Sequence, residues 1–349
     1  MWLSNYYDLN VNLDGKSILV TGGTGSFGKR FVKTVLERYK LKRLVIFSRD
    51  ELKQFEMQQQ FSTTEYPCMR YFIGDVRDET RLEMAMKDID IVIHAAALKH
   101  VPVAEYNPTE CIRTNVNGAE NVVRAALAND VKHVLALSTD KAVNPINLYG
   151  ASKLAADKIF VAANNLSGTD GTVFSVVRYG NVVGSRGSVL PFFKKLVAEG
   201  TDHLPITDPD MTRFWITLQQ GVDFVISNLR YMRGGEIFVP KMPSMKITEM
   251  ATYIAPELPQ KVIGIRPGEK LHEMMVSEDD APYTDDLGDR YVVKPAFSFW
   301  SEREAGSKEI AQIYNDAVAA QKGFRYASNI NDDWLDNDRL DLLLKEPAT

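Results

Sequence analysis

The stretch SILVTGGTGSFG, from Ser17 to Gly28, decides the fold of this chain. Ser17 to Val20 is a short apolar run, suited to a buried strand of a parallel sheet. Gly22, Gly23, Gly25 and Gly28 follow directly, and KRFVKTVLERYK then reads as a helix. Glycines between a strand and a helix permit a tight turn, close backbone approach to a pyrophosphate and close helix–strand contact. The N-terminus of the helix offers unpaired N–H groups and a partial positive charge to the phosphates. This order predicts an α/β dinucleotide-binding domain.

Working outward, Arg43 to Phe47 is the second strand, and it ends in Ser48-Arg49-Asp50. About twenty residues past the last glycine, an acidic side chain would bind the ribose 2′-OH of NAD. Here Ser48 takes that place and Arg49 follows. A hydroxyl and a guanidinium suit a 2′-phosphate, so NADP is expected, with Asp50 still near enough to reach the ribose. Tyr71 to Ile73 and Ile91 to Ile93 are further strands. The first ends in Gly74-Asp75-Val76, placed to flank the adenine, and the second in His94-Ala95-Ala96-Ala97, small enough for the backbone to approach a cofactor. His94 reads as a packed histidine, and no metal site is expected, because no partners stand at ligand spacing. Lys99 and His100 fall at the rim, and Asn115 is read as opening the helix NVNGAENVVRAALAND.

That helix leads to VKHVLALSTDKAVNPINLYGASK, from Val131 to Lys153. Val134 to Leu137 is a buried strand ending in Ser138-Thr139-Asp140-Lys141, and LYGASKLAADKIFVAANN is a helix capped by Asn144 or Asn147, with Pro145 in its first turn. Tyr149 and Lys153, four apart, project from one face. An unperturbed phenol ionises near pH ~10, and a nearby ammonium lowers that value. Such a pair beside a nicotinamide forms a base for alcohol oxidation.

After the strand Phe174 to Arg178 and the segment Tyr179 to Gly184, strand–helix alternation weakens. SRGSVLPFFKKLVAEG reads as a loop and a helix, GGEIFVP as a short strand, and IGIRPGEKLHE places Arg266 in a Pro-Gly turn. The expected architecture is a doubly wound parallel sheet of Rossmann type with a smaller C-terminal substrate-binding lobe. Its divisions are a 1–14 extension, a 15–180 nucleotide-binding domain with later strand returns, a 181–300 lobe and a peripheral 301–349 segment. Arg213 and Arg266 are candidates for a bidentate clamp on a diphosphate. The acidic run Glu278 to Asp289 reads as a solvated loop.

Composition limits the partners. The 349 residues are 45% hydrophobic and 25% charged, with a formal net charge of −5, so nothing argues electrostatically for nucleic acid. No apolar run reaches the ~18 residues of a membrane span, and the N-terminus has no signal-peptide pattern. Cys68 and Cys111 form no CxxC, which suits a reducing, cytoplasmic setting.

TGGTGSFG, the Tyr149–Lys153 helix and RYGNVVG resemble the extended short-chain dehydrogenase/reductase family acting on nucleotide sugars. More narrowly, SRDELKQ, HAAALKHVPVAEYNP, STDKAVNPINLYGASK, RYGNVVGSRGSVLPFF, MTRFWIT and IRPGEKLHE resemble the soluble inverting UDP-N-acetylglucosamine 4,6-dehydratases, from roughly Asp14 to Trp300. Those enzymes open pseudaminic acid synthesis for flagellin glycosylation. The resemblance implies Tyr149 as the C4 base, Asp140 as the acid and Lys141 as the C5 base, the last requiring a depressed pKa to which Lys153 would contribute. It implies NADP contacts from Thr24, Gly25, Ser26, Phe27, Ser48, Arg49, Asp50, Glu51, Leu52, Lys53, Asp75, Val76, Ala95, Lys99, Asn115, Tyr149, Lys153 and Val182. UDP-sugar contacts would come from Lys99, Asn181, Arg213 and Arg266. A homo-oligomer is implied too, since family members are often hexamers. Retaining dehydratases of the superfamily usually carry Thr-Asp-Glu where this chain has Thr139-Asp140-Lys141. A retaining dehydratase, a C4 epimerase and a non-catalytic NADP-binding regulator stand as the competing readings.

Overall fold

The computed structural model describes residues 5–168, 170–184, 189–297 and 308–345. In it, β1 (Ser17–Thr21), β2 (Arg43–Ser48), β3 (Met69–Ile73), β4 (Ile91–His94), β5 (His133–Thr139) and β6 (Val173–Tyr179) are parallel, in the order β3-β2-β1-β4-β5-β6. Ile18, Leu19, Val20, Val134, Leu135, Val176 and Val177 are fully or almost fully buried. Helices over both faces of a parallel sheet make its strands continuously apolar, which is why these runs do not alternate. The helices Ser26–Arg38, Gly118–Ala128, Leu148–Ala162 and Leu218–Tyr231 supply that cover. Strand order reverses between β1 and β4, and in open sheets of this kind the crevice at such a reversal is where ligands bind.

The later strands are β7 (Asn181–Val182), β8 (Leu204–Ile206), β9 (Thr212–Ile216), β10 (Ile237–Pro240), β11 (Ser244–Lys246), β12 (Gln260–Val262), β13 (Met274–Val276), β14 (Thr284–Asp286), β15 (Arg290–Val293), β16 (Val318–Ala319) and β17 (Tyr326–Ala327). β10 joins β6 in parallel, and antiparallel β15, β14 and β16 complete a ten-stranded sheet. A second, smaller core gathers Leu190, Phe193, Leu204, Ile206, Met211 and Trp215 with Leu335, Leu340 and Leu343. The described part of the chain's end is therefore packed into a core. Residues 1–4, Ser185 to Ser188 of the SRGSVLPFF segment, Trp300, 301–307 and 346–349 lie outside the described residues.

The acidic run 278–289 is not a simple solvated loop. It holds β14, whose Asp285 pairs with Lys294 at 2.8 Å and whose Asp286 pairs with Lys241 at 2.7 Å. Neighbouring lysines allow so acidic a segment to join a sheet. Among the described residues, no helix is long and apolar enough to cross a membrane.

Candidate active site

The ends of β1, β2, β3 and β4 form a cradle of backbone. Gly22 has φ +66°, and a Cβ there would lie 2.9 Å from the backbone N and Cα of Ala96. A Cβ on Gly28 would meet the Gly23 carbonyl oxygen at 2.2 Å, so helix and turn touch without side chains between them. Thr21 Oγ1 accepts the N–H groups of Ala95 and Ala96 at 3.2 Å each, and lies 2.8 Å from His94 Nδ1. His94 is fully packed, against Phe160, and burial followed by the Lys153 charge pushes its pKa down to about 3. Gly25 precedes the helix Ser26–Arg38, with Ser26 and Phe27 half-buried in its first turn. An opening walled by glycine and alanine backbone and closed by a helix N-terminus fits a dinucleotide pyrophosphate.

At the ribose end, Thr24 Oγ1 and Ser48 Oγ are 2.9 Å apart. Asp50 caps the helix Glu51–Gln60 by accepting the Lys53 N–H at 3.0 Å, and it pairs with Lys53 Nζ at 2.8 Å. Arg49 is half-exposed and 3.5 Å from Asp75, which is held chiefly by Arg77. Glu51, Leu52 and Lys53 expose their side chains, while Val76 is buried beneath Gly118.

The acid–base residues converge where β5 ends. Asn147, not Asn144, caps the helix Leu148–Ala162, accepting the Gly150 N–H at 2.7 Å. Asn144 instead takes φ +44°, and Pro145 lies ahead of the helix. A Cβ on Gly150 would stand 2.1 Å from the Lys141 carbonyl oxygen, so the helix presses directly on the Thr139–Lys141 turn. Asp140 is buried; Thr139 Oγ1 donates to its Oδ1 at 2.6 Å, and Lys141 Nζ lies 3.1 Å from the same oxygen. Burial raises the Asp140 pKa, but Lys141 and Thr139 outweigh it and hold the carboxyl below its ordinary range.

Two expectations about charge are corrected here. Tyr149 is pushed up to about 12 by burial, and the cation opposing that is Lys141 rather than Lys153. Lys153 Nζ donates to the Leu137 carbonyl at 2.7 Å, and burial lowers its pKa. Lys141 is not depressed either. Burial pulls its pKa down, yet the Asp140 and Glu273 carboxylates prevail and hold it above the ordinary range.

Glu273 was not legible as a site residue. It is 2% exposed, with Oε1 3.4 Å from Lys141 Nζ. Its only sequence signal is a carboxylate inside IRPGEKLHE. That segment straps the site: Asn147 donates to the Gly268 carbonyl at 2.8 Å, and Lys270 Nζ to the Val143 carbonyl at 2.5 Å.

Arg213 is 6% exposed and braces the strap. Its Nη1 donates to the carbonyls of Thr212 and Leu271 at 2.7 and 3.0 Å, and its Nη2 to the Lys270 carbonyl at 2.9 Å. Glu269 lies 3.4 Å from Nη2, and Glu273 lies 3.6 Å from Nε. Both terminal nitrogens of Arg213 are thus bonded to protein, and its role in this structure is a brace. Asn115 is likewise a brace: its side chain bonds the Leu98 N–H and carbonyl at 2.8 and 2.9 Å and Ser152 Oγ at 2.9 Å. It does not open a helix but sits in the π-turn Arg113–Asn117. Arg266 is exposed and has no ion pair among the described residues, and Lys99 is exposed beside β4. Asn181 and Val182 are half-buried in β7, paired with Trp215 and Ile216. No group of three His, Cys, Asp or Glu capable of holding a metal occurs among the described residues.

A Rossmann-type sheet with a glycine cradle at its reversal and a Tyr-Lys helix alongside defines the class as short-chain dehydrogenase/reductase. The chain belongs to the polysaccharide biosynthesis protein family, whose model matches residues 18–295. An inverting UDP-N-acetylglucosamine 4,6-dehydratase of Campylobacter jejuni is 59% identical over 92% of this chain and 95% of that protein. A UDP-glucose 4-epimerase of Rickettsia bellii is 45% identical over 80% and 82%. The X-ray structure of Pen from Bacillus thuringiensis matches with a TM-score of 0.83 and 35% identity, covering 96% of this chain and 98% of that one. DesIV, a dTDP-glucose 4,6-dehydratase of Streptomyces venezuelae solved with NAD and TYD bound, shares the fold at TM-score 0.63 and 22% identity, covering 73% and 86%.

Proposed function

We propose that this protein is a C5-inverting UDP-N-acetylglucosamine 4,6-dehydratase, a hydro-lyase that forms UDP-2-acetamido-2,6-dideoxy-β-L-arabino-hex-4-ulose. The observation that carries the reading is the Asp140–Lys141 pair, 3.1 Å apart at the end of β5 and pressed against the Tyr149 helix. The 59% identity to an inverting enzyme supports it. The cradle of Gly22, Thr24, Gly25, Ser26 and Phe27, with Ser48, Arg49, Asp75 and Ala95, would hold NADP. Asp50 is spent on a helix cap and Lys53, which favours Arg49 as the 2′-phosphate partner. When bound, the nicotinamide supplies a hydride acceptor for C4 and a hydride donor for C6.

Tyr149, a neutral phenol at rest, first gives its proton to solvent and then, as the phenolate, takes the proton of the C4 hydroxyl. The ketone acidifies C5, Lys141 as the free amine removes the C5 proton, and Asp140 as the acid protonates the departing C6 hydroxyl. In the resting site Lys141 is an ammonium and Asp140 a carboxylate, so a proton must leave the first and reach the second before elimination. The pair is already in contact, which makes that transfer short. Arg266, Lys99 and Asn181 would contact the UDP group. We further propose a cytosolic homo-oligomer feeding pseudaminic acid or a related bacterial surface sugar; the free Cys68 and Cys111 suit that compartment.

The test is incubation of purified protein with UDP-N-acetylglucosamine, read by mass spectrometry for loss of water and by NMR for configuration at C5. The L-arabino product is expected. A D-xylo product as the first species overturns inversion. Epimerisation at C4 without water loss makes it an epimerase, and tight nucleotide binding without turnover makes it a regulator.

A further inference from the structure

Lys141 is the charged centre of the site, and its surroundings come from four segments. Asp140 is its own neighbour, Tyr149 faces it from the helix Leu148–Ala162, Arg213 from β9, and Lys270 and Glu273 from the strap before β13. Of the two carboxylates, Asp140 has a clear chemical task. Glu273 has none so far. It lies almost fully buried between Lys141 and Arg213, and its Oε2 has no hydrogen-bond partner among the described residues. A buried carboxylate oxygen left unpaired is costly and rarely kept without use. The backbone around it is clamped, since the Glu273 N–H donates to Ser328 Oγ at 3.0 Å and the Ser328 N–H to the Glu273 carbonyl at 2.8 Å.

We propose that Glu273 is a positioning residue for Lys141: it fixes the ammonium beside Asp140 and governs when that nitrogen gives up its proton. The inference rests on the dehydratase reading above. Glu273 holds Lys141 against Asp140 while the Nζ proton passes to Asp140, which turns ammonium and carboxylate into amine and carboxylic acid and leaves the net charge of that pair at zero. The site can then hold a basic amine without exporting charge from a buried pocket. Arg213, on the far side of Glu273, favours its carboxylate form, so Glu273 stays charged through the cycle and holds the ammonium that Lys141 becomes when it takes the C5 proton.

The test compares Glu273→Gln and Glu273→Asp with the wild type. Solvent-deuterium entry at C5 is followed against pH, and the Lys141 ammonium is titrated by nitrogen NMR on lysine-labelled protein. NADP and UDP affinities report an intact fold. In Glu273→Gln, both the pH limb of C5 exchange and the Lys141 titration should move down by about one unit or more, because one of two close carboxylates is gone. The maximal rate should fall at least tenfold with KM for the UDP-sugar little changed. Glu273→Asp should move both back toward the wild type. A Gln variant whose titration superimposes on the wild type, or an Asp variant no better than Gln, overturns the proposal. If the wild type exchanges no C5 proton, the dehydratase reading fails, and the NMR titration still judges Glu273 alone.

Discussion

The nucleotide cradle and the acid–base centre are built on opposite principles. The cradle is backbone: Gly22 approaches Ala95 and Ala96, and Gly28 approaches Gly23, so closely that a Cβ added at either glycine collides. The acid–base centre is charge: Asp140, Lys141, Glu273 and Arg213 neutralise each other, three of them buried and Lys141 27% exposed. A cradle of that kind depends on shape and tolerates almost no substitution. A charge cluster depends on sums, and one missing member changes how all the others titrate.

The largest effect should follow Lys141→Ala. A positioned acid–base group contributes 10²–10⁴-fold, so water loss should drop by roughly a thousandfold. C4 oxidation should persist, visible as enzyme-bound NADPH absorbance. Loss of both steps together would mean that the two halves of the site are not separable.

Arg213→Ala should damage the fold more than binding. It strands three carbonyls beside Glu269 and Glu273, and breaking buried pairs of this kind costs about 3–5 kcal/mol. A lowered Tm is the readout; unchanged Tm with weakened UDP binding would restore the clamp. Arg266→Ala should do the reverse, weakening UDP by roughly tenfold to a hundredfold with Tm unchanged.

On the cradle side, His94 gives a pH signature. Its native pKa is about 3 against an ordinary 6.5, so between those values the unfolded chain binds a proton that the native chain does not. Stability should fall as pH drops from about 6.5 toward 3, by up to a few kcal/mol. His94→Asn should flatten that acid slope in a denaturation series. The smallest effect belongs to Arg49→Ala, about tenfold in NADP affinity, with NAD affinity unmoved.

The same contrast explains what the sequence revealed. Turn, close approach and phosphate-binding helix are properties of one contiguous stretch, so Ser17 to Gly28 could be read locally. Asp140, Lys141 and Tyr149 were also legible, being near neighbours in the chain. The charge on Lys141 was not, because it depends on burial against Asp140 and on Glu273, which only folding brings within 3.4 Å. The bracing contacts of Arg213 were hidden for a related cause: the carbonyls it bonds come from a segment about sixty residues further on. β14 hid inside an acidic run because its lysine partners, Lys241 and Lys294, lie in other segments.

The clamp between Glu273 and Ser328 has a consequence for how the protein is made. Ribosomal synthesis delivers the glycine cradle first and Ser328 near the end, so an unfinished chain has every piece of the nucleotide pocket but cannot seat its glutamate. A product cut short before Ser328 would also lack Leu335, Leu340 and Leu343 of the smaller core. Premature termination before Ser328 would therefore remove both hydrogen bonds that seat Glu273 beside Lys141.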